Sequence, residues 1–143
     1  MPNTISFSNY FLQFLKQDYP QLPSAEQKII SQFIADYRNY GFTAPPLCGR
    51  NKSSAAVSDN NKRNFALEYG LWHYHIGIPS YETENRLMGD WTSVKIVNYM
   101  NRDTTRDKKG KCKANIKLVS IASHPPFIIP NLSHITGETF PQT

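Results

Sequence analysis

The sequence has only two cysteines, Cys48 and Cys112, and they lie far apart in polar surroundings. With no cysteine cluster, it offers no ready set of ligands for a tetrahedral zinc ion. It also lacks a basic secretory leader with a cleavage site, and no apolar run approaches the ~18–20 residues that span a bilayer. These absences predict a reduced, cytoplasmic protein that does not bind membranes.

What the sequence does contain is typical of a packed globule. Aromatic residues make up 13% and hydrophobic residues 39% of the 143 positions, which argues against disorder. The length suits one domain, predicted over residues 1–143. The net charge of +5 indicates an anionic partner.

Residues 71–78 alternate between apolar and polar side chains, as a β-strand does. One face is predicted to pack against helices and comprises Trp72, Tyr74, Ile76 and Ile78. The other face carries His73 and His75, which can exchange protons near neutral pH. The alternative is that both histidines are ordinary packing or hydrogen-bonding residues.

The histidine pair by itself is a poor metal site, because a tetrahedral zinc ion needs more than two ligands. His124 and His134 could join only if the fold brought them near. The sequence therefore predicts no metal and no cofactor.

The chain divides into a helical part at about 5–40, a long connection at 42–64 and a sheet at about 65–130. Within the first part, Ser24 and Gln27 have the spacing of a capping box and Gly41 that of a C-terminal cap, which predicts a helix from Ser24 to about Tyr40. Residues 5–15 have a mixed period that fits either a short strand or a helix, with helix favoured.

The connection at 42–64 is unusually long for a compact domain, so it is either mobile or functional. Strands are predicted at about 67–78, 92–100 and 113–123. The fold class that follows is α+β, with the N-terminal helices packed on one face of a small antiparallel sheet.

Basic residues concentrate between the second and third predicted strands, where a hairpin tip is expected. They are Arg102, Arg106, Lys108, Lys109, Lys111 and Lys113. Such a tip could bind a phosphate backbone, and Tyr99, Trp72 or Tyr74 could stack on bases if they face outward. The alternative is a solvated loop that serves only solubility.

Several of these features, taken in order, give the chain a resemblance to a known family. They are the helix ending before Gly41, a proline-containing turn followed by Gly49-Arg50-Asn51, the run His73-Tyr74-His75-Ile76, and a strand closing in His124-Pro125-Pro126. Over roughly residues 24–131 the chain resembles the ribosome-dependent mRNA interferases of the YafO type, within the RelE/ParE toxin superfamily.

The resemblance implies the toxin component of a bacterial toxin–antitoxin system. Such a protein is an endoribonuclease that acts on mRNA at the ribosome and is neutralised by a cognate antitoxin protein. The chain departs from the family in its extended basic hairpin and in its end, residues 135–143, which lacks the basic or aromatic-charged tail expected of these toxins.

Metal-independent cleavage of RNA requires a base for the ribose 2′-OH, an acid for the leaving 5′-oxygen, and cations for the phosphate. The hypothesis assigns the first two roles to His73 and His75, with His124 next in rank. Arg50 and Lys95 are the predicted phosphate clamps, and Lys95 depends on a register that places it on the histidine face.

The remaining predicted RNA or ribosome contacts are Tyr99, Arg102, Arg106, Lys108, Lys109 and Lys111. Two other functions account for the same charge. One is a non-enzymatic module that binds RNA or protein, and the other is a gyrase-directed toxin of the same fold.

Overall fold

The computed structural model describes residues 3–101, 115–124 and 127–141. Its fold class is α+β, as predicted. The helices are α1 (Asn9–Gln13), α2 (Ser24–Tyr40), α3 (Asn60–Tyr69) and α4 (Leu132–Ile135). The strands are β1 (Thr4–Phe7), β2 (Asn51–Ser53), β3 (Leu71–His75), β4 (Lys95–Asn101) and β5 (Asn115–Ser123). None of the helices in the described ranges has the length and apolar character needed to cross a bilayer.

The five strands form one sheet in the order β1-β5-β4-β3-β2. Three pairings are antiparallel, but β1 runs parallel to β5. The prediction of a wholly antiparallel sheet was therefore wrong. The segment 5–15, whose period fits either a short strand or a helix, contains both: its start belongs to the edge strand β1, and α1 follows. Ile5 and Phe7 of β1 enter the core, while Ser6 bonds to Glu138.

One face of the sheet is covered by the N-terminal helices, as predicted. Phe11 of α1 and Phe33 of α2 pack with Tyr74, Val97 and Leu118 in a single buried cluster. Ile76 and Ile78 are also buried in this cluster, and Trp72 is partly buried against it. The alternation read from 71–78 is thus confirmed, and the two histidines are left on the opposite face.

The opposite face carries two helices that the sequence did not predict, α3 and α4. Ala66 of α3 and Ile135 of α4 are buried with Leu71, Met100 and Val119. Beyond this cluster the same face is open, and there His73 and His75 are found.

The predicted loop 42–64 contains β2 and the start of α3, and the predicted strand 67–78 begins only at Leu71. The Asp59 side chain accepts the Lys62 N–H to start α3, and Gly70 ends it in a left-handed conformation at φ 62°. Only Ala66 of α3 is buried, so the helix has too narrow an apolar stripe to be recognised by periodicity.

Helix α2 has the predicted bounds but not the predicted capping box. Its N-cap is Pro23, and no side chain caps it. Gln27 instead donates to the carbonyl oxygens of Tyr19 and Leu22 in the preceding turn. Gly41 ends the helix at φ 70°, a conformation that favours glycine.

Candidate functional site

The open part of the second sheet face forms a cleft of about 480 Å³, within the size range of small-molecule sites. The cleft is formed by strands β2 and β3, by the two ends of the connection 79–94, and by the chain after β5. Its walls are formed by Arg50, Lys52, Ser53, Ala56, His73, His75, Pro79, Ser80, Glu82, Thr92, Ser93, Val94, His124 and Phe127.

Three histidines meet in this cleft. The ring centres of His73 and His75 are 6.2 Å apart, and His124 lies 5.7 Å from His73 and 5.4 Å from His75. Strand β3 supplies the first two from alternate positions, and β5 delivers the third just past its end. The sequence predicted the pair and ranked His124 next, and the structure brings all three together.

His73 is held in a fixed orientation deep in the cleft. It is only 5% exposed, and its Nδ1 lies 3.0 Å from Ser54 Oγ. Burial, followed by the positive charges of neighbouring side chains, lowers the pKa of His73 from 6.5 to about 4. His73 is therefore neutral at pH 7, which a general base must be.

His75 is bound by the backbone of Ser93 rather than by a side chain. Its Nδ1 lies 2.9 Å from the Ser93 carbonyl oxygen and 3.0 Å from the Ser93 amide nitrogen. The amide can donate to a neutral ring, and the carbonyl can accept from a protonated one. Burial is the main cause that lowers the pKa of His75, yet this residue has a partner in either state.

His124 is partly exposed, unlike the other two histidines. Its backbone N–H donates to the Val94 carbonyl, which ties the end of β5 to the start of β4. Phe127 stacks on its ring at 5.3 Å and also lies 4.4 Å from the His73 ring centre. Phe127 therefore covers two of the three imidazoles.

Two cations lie beside the histidine strand, one on its neighbour β2 and one just before β2. Lys52 is exposed and pairs with His73 across β2 and β3. Arg50 precedes β2, and its carbonyl accepts the His75 N–H. Its guanidinium contacts Asp90 through Nε at 2.7 Å and Nη2 at 3.3 Å, so a carboxylate already holds the arginine in place beside the cleft.

Two predicted site residues do not belong to the cleft. Lys95 lies on the helix-covered face of the sheet together with Val97 and Tyr99. The histidines lie on the other face, because His75 pairs with Ile96 and His73 with Asn98. Tyr99 is 1% exposed in the core, where its hydroxyl donates to Asn51 and burial raises its pKa. Neither Tyr99 nor the equally buried Tyr74 is free to stack on a base, and Trp72 packs against the core.

The predicted basic hairpin lies outside the described residues. This applies to Arg102, Arg106, Lys108, Lys109, Lys111 and Lys113, and also to the Pro125-Pro126 pair.

Several residues that line the cleft or hold its histidines were missed at the level of sequence, among them Lys52, Ser54, Ser93, Phe127 and Glu82. The first two stand in a polar run without periodicity, so nothing marked β2 as a strand. The signal available for Phe127 was its position three residues after His124. Ser93 acts through its backbone, which its residue type does not reveal.

Within the described ranges, no group of three or more His, Cys, Asp or Glu side chains is placed as a metal site. A scan against known protein families, a search of curated proteins and a search of solved structures each find no match. Function is therefore inferred from the residues of the cleft themselves.

Proposed function

We propose that this protein is an endoribonuclease, the toxin component of a bacterial toxin–antitoxin system, and that it cleaves mRNA at the ribosome by metal-independent transesterification. The observation that carries the proposal is the convergence of His73, His75 and His124 in one cleft beside Arg50 and Lys52. Proton donors, proton acceptors and cations together are what this reaction requires.

The base role is assigned to His73. In the tautomer whose Nδ1–H donates to Ser54 Oγ, the lone pair on Nε2 is available to the cleft. Nε2 takes the proton of a ribose 2′-OH, and the 2′-oxygen forms a bond to the adjacent phosphorus. The bond from phosphorus to the 5′-oxygen breaks, leaving a 2′,3′-cyclic phosphate.

The acid role is assigned to His124, which protonates the departing 5′-oxygen. It is the most exposed of the three imidazoles, so it can regain a proton from solvent after each cleavage. His75 stands 5.4 Å from it and 6.2 Å from His73 between ring centres. The Ser93 backbone can bond to His75 in both the neutral and the protonated state of its ring. His75 is therefore suited to support His73 and His124 as their protonation states change.

Charge on the phosphate is balanced by Lys52 of the neighbouring strand β2 and by Arg50, which directly precedes that strand. Lys52 is exposed and pairs directly with His73. Arg50 remains oriented by Asp90, so little side-chain freedom is lost when it binds an anion. The proposal includes a RelE/ParE-like fold, with which the α+β class and the helices on one face are compatible.

The test is primer extension on a translated reporter mRNA after induction of the protein. Wild type should produce new cuts within translated codons. The His73→Ala variant should reduce the cleavage rate about 100-fold or more, because it removes the general base. The matched control is His134→Ala, which changes a histidine whose ring contacts Tyr10 at a tilt outside the cleft and should leave cleavage at the wild-type rate.

Each outcome decides between the candidate functions. Cuts that persist at the wild-type rate in a folded His73→Ala, His75→Ala double variant would refute the assignment of the histidines. Growth arrest with DNA damage and no mRNA cuts would favour a gyrase-directed toxin. Binding of RNA or protein without either effect would favour a non-enzymatic module.

A further inference from the structure

Glu82 is the one carboxylate among the described residues that line the cleft. We propose that it selects guanine in the RNA substrate by accepting hydrogen bonds from the edge of that base. This inference rests on the proposed function and deepens it, because it names the nucleotide that the cleft binds.

The position of Glu82 is fixed by the backbone. Its N–H donates to the Thr92 carbonyl at 2.7 Å, and the Thr92 N–H returns a bond of 3.4 Å to the Glu82 carbonyl. The next residue, Ser93, holds the His75 ring. Glu82 is thereby anchored in the wall of the cleft through Thr92, the residue before the one that holds His75.

Phe127 and Lys52 lie at the other side of the cluster, near His73. Phe127 contacts the His73 ring, and Lys52 pairs with His73 across the strands. Lys52 and Phe127 thus lie beside His73, whereas Glu82 and Arg50 lie toward His75, with the imidazoles between them.

The Glu82 side chain is exposed, and within the described part of the chain no hydrogen bond or ion pair occupies its carboxylate. It does not pair with Arg50, whose guanidinium is held by Asp90. An ionised carboxylate repels a phosphate and only accepts hydrogen bonds. The part of a nucleotide that fits beside it is one rich in hydrogen-bond donors.

Among the four RNA bases, guanine alone presents two adjacent donors, N1–H and an N2 amino hydrogen, on its Watson–Crick edge. Two parallel donors match the two oxygens of a carboxylate, and such charge-assisted, bidentate bonds are the strongest kind. Adenine, cytosine and uracil each place an acceptor beside their donor, which the carboxylate would repel. Single-stranded RNA is commonly read through this edge.

The experiment measures binding of the four nucleoside 3′-monophosphates to the full chain by calorimetry. Wild type should bind guanosine 3′-monophosphate about tenfold or more tightly than the other three. Glu82→Gln should lower that affinity to the level of the others. Inosine 3′-monophosphate, which lacks the 2-amino group, should bind wild type several-fold more weakly than the guanosine nucleotide.

The matched control is Glu84→Gln, two positions further along the same segment. Glu84 does not line the cleft, so this variant should keep the full preference for guanosine. Equal binding of the four nucleotides by wild type, no binding of any, or an unchanged preference in Glu82→Gln would each overturn the proposal.

Mapping of reporter mRNA cuts separates this inference from the proposed function. Cuts enriched at guanosine in wild type and redistributed among bases in Glu82→Gln support both. A uniform loss of cleavage in folded Glu82→Gln would make Glu82 part of the reaction itself and overturn its role in selection. Guanosine-selective binding without any mRNA cleavage would refute the nuclease and leave the guanine site intact.

Discussion

At His73, several physical effects act on one imidazole in the same direction. Burial removes the water that would stabilise the imidazolium, and electrostatic interactions with neighbouring histidines, Lys52 and Arg50 also disfavour its charge. The Ser54 hydroxyl orients the ring in either tautomer. The consequence is a histidine that stays neutral well below the pH at which an exposed one would protonate.

This environment makes folding stability depend on pH. The pKa of His73 is about 4 in the folded state and about 6.5 in the unfolded state, so between these values the unfolded chain binds more protons. Stability should therefore be complete above pH 6.5 and should fall as the pH drops toward 4, with a loss of about 2 kcal/mol after allowance for solvent screening.

The measurement is urea unfolding at several pH values, compared between wild type and His73→Asn, whose amide can retain the bond to Ser54. The variant should show a shallower loss of stability over this interval, with the remainder due to His75, whose pKa is also lowered. If stability depended on pH equally in both proteins, the buried, cation-flanked environment assigned to His73 would be contradicted.

Individual residues differ in how well the sequence predicts them. His73 and His75 were identified because strand alternation fixes their common face. Lys95 was misplaced because its face depends on the register between β3 and β4, and a shift by one residue reverses every side chain. The sequence holds no local signal for that register.

Among the elements, α1 and α3 both begin at a side-chain cap, in different surroundings. Ser8 is fully buried, accepts the Phe11 N–H at 3.1 Å and donates to the Val119 carbonyl at 3.3 Å. Asp59 accepts the Lys62 N–H at 2.9 Å on an exposed surface. Water can replace the second cap but not the first.

We therefore expect Ser8→Ala to lower the free energy of unfolding by about 2 kcal/mol, and Asp59→Ala by about 0.5–1 kcal/mol. Chemical denaturation of the two variants against wild type measures both values. A larger loss at Asp59 than at Ser8 would show that the packing of α1 against β5 has been misjudged.

Elements with strong periodicity or clear ends were predictable, and short or polar ones were not. Helix α2 carries a wide apolar face and ends at Gly41, so its bounds could be predicted from the sequence. Strand β2 has three residues, and α3 buries only Ala66. Their positions follow from contacts with β3 that do not exist until the sheet has formed.

Across the whole molecule, the two faces of the sheet have different chemistry. Lys52 is exposed at the histidine cleft, whereas Lys28 is exposed on α2, which covers the other face. In the proposed function, only Lys52 is placed to neutralise a phosphate of the substrate RNA.

The Lys52→Ala variant should therefore weaken the binding of single-stranded RNA and reduce the slope of log affinity against log salt by about 0.7, the value for one phosphate contact. Lys28→Ala removes the same charge and should leave the slope unchanged. Both slopes are measured by fluorescence anisotropy titrations of RNA at salt concentrations between about 50 and 200 mM. Equal effects of the two variants would indicate a non-specific charge effect rather than a cleft contact.

The fold class was predictable because the helical part precedes the sheet, while the parallel strand was not. Nothing in residues 4–7 indicates that their partner is the distant β5. The cleft could be predicted only in part. The shared face of His73 and His75 follows from alternation within β3, whereas the positions of His124 and of β2 depend on pairing between distant segments.

The pairing of β1 with β5 also has a consequence for synthesis of the chain. Ser8 bonds to Val119, 111 positions later, and at ordinary translation rates the intervening chain takes on the order of ten seconds to make. Throughout that time β1 has no partner strand. His124 and Phe127 are made later still. A translation product that ends between β3 and β5 would therefore contain His73 and His75 but neither the complete sheet nor the third imidazole.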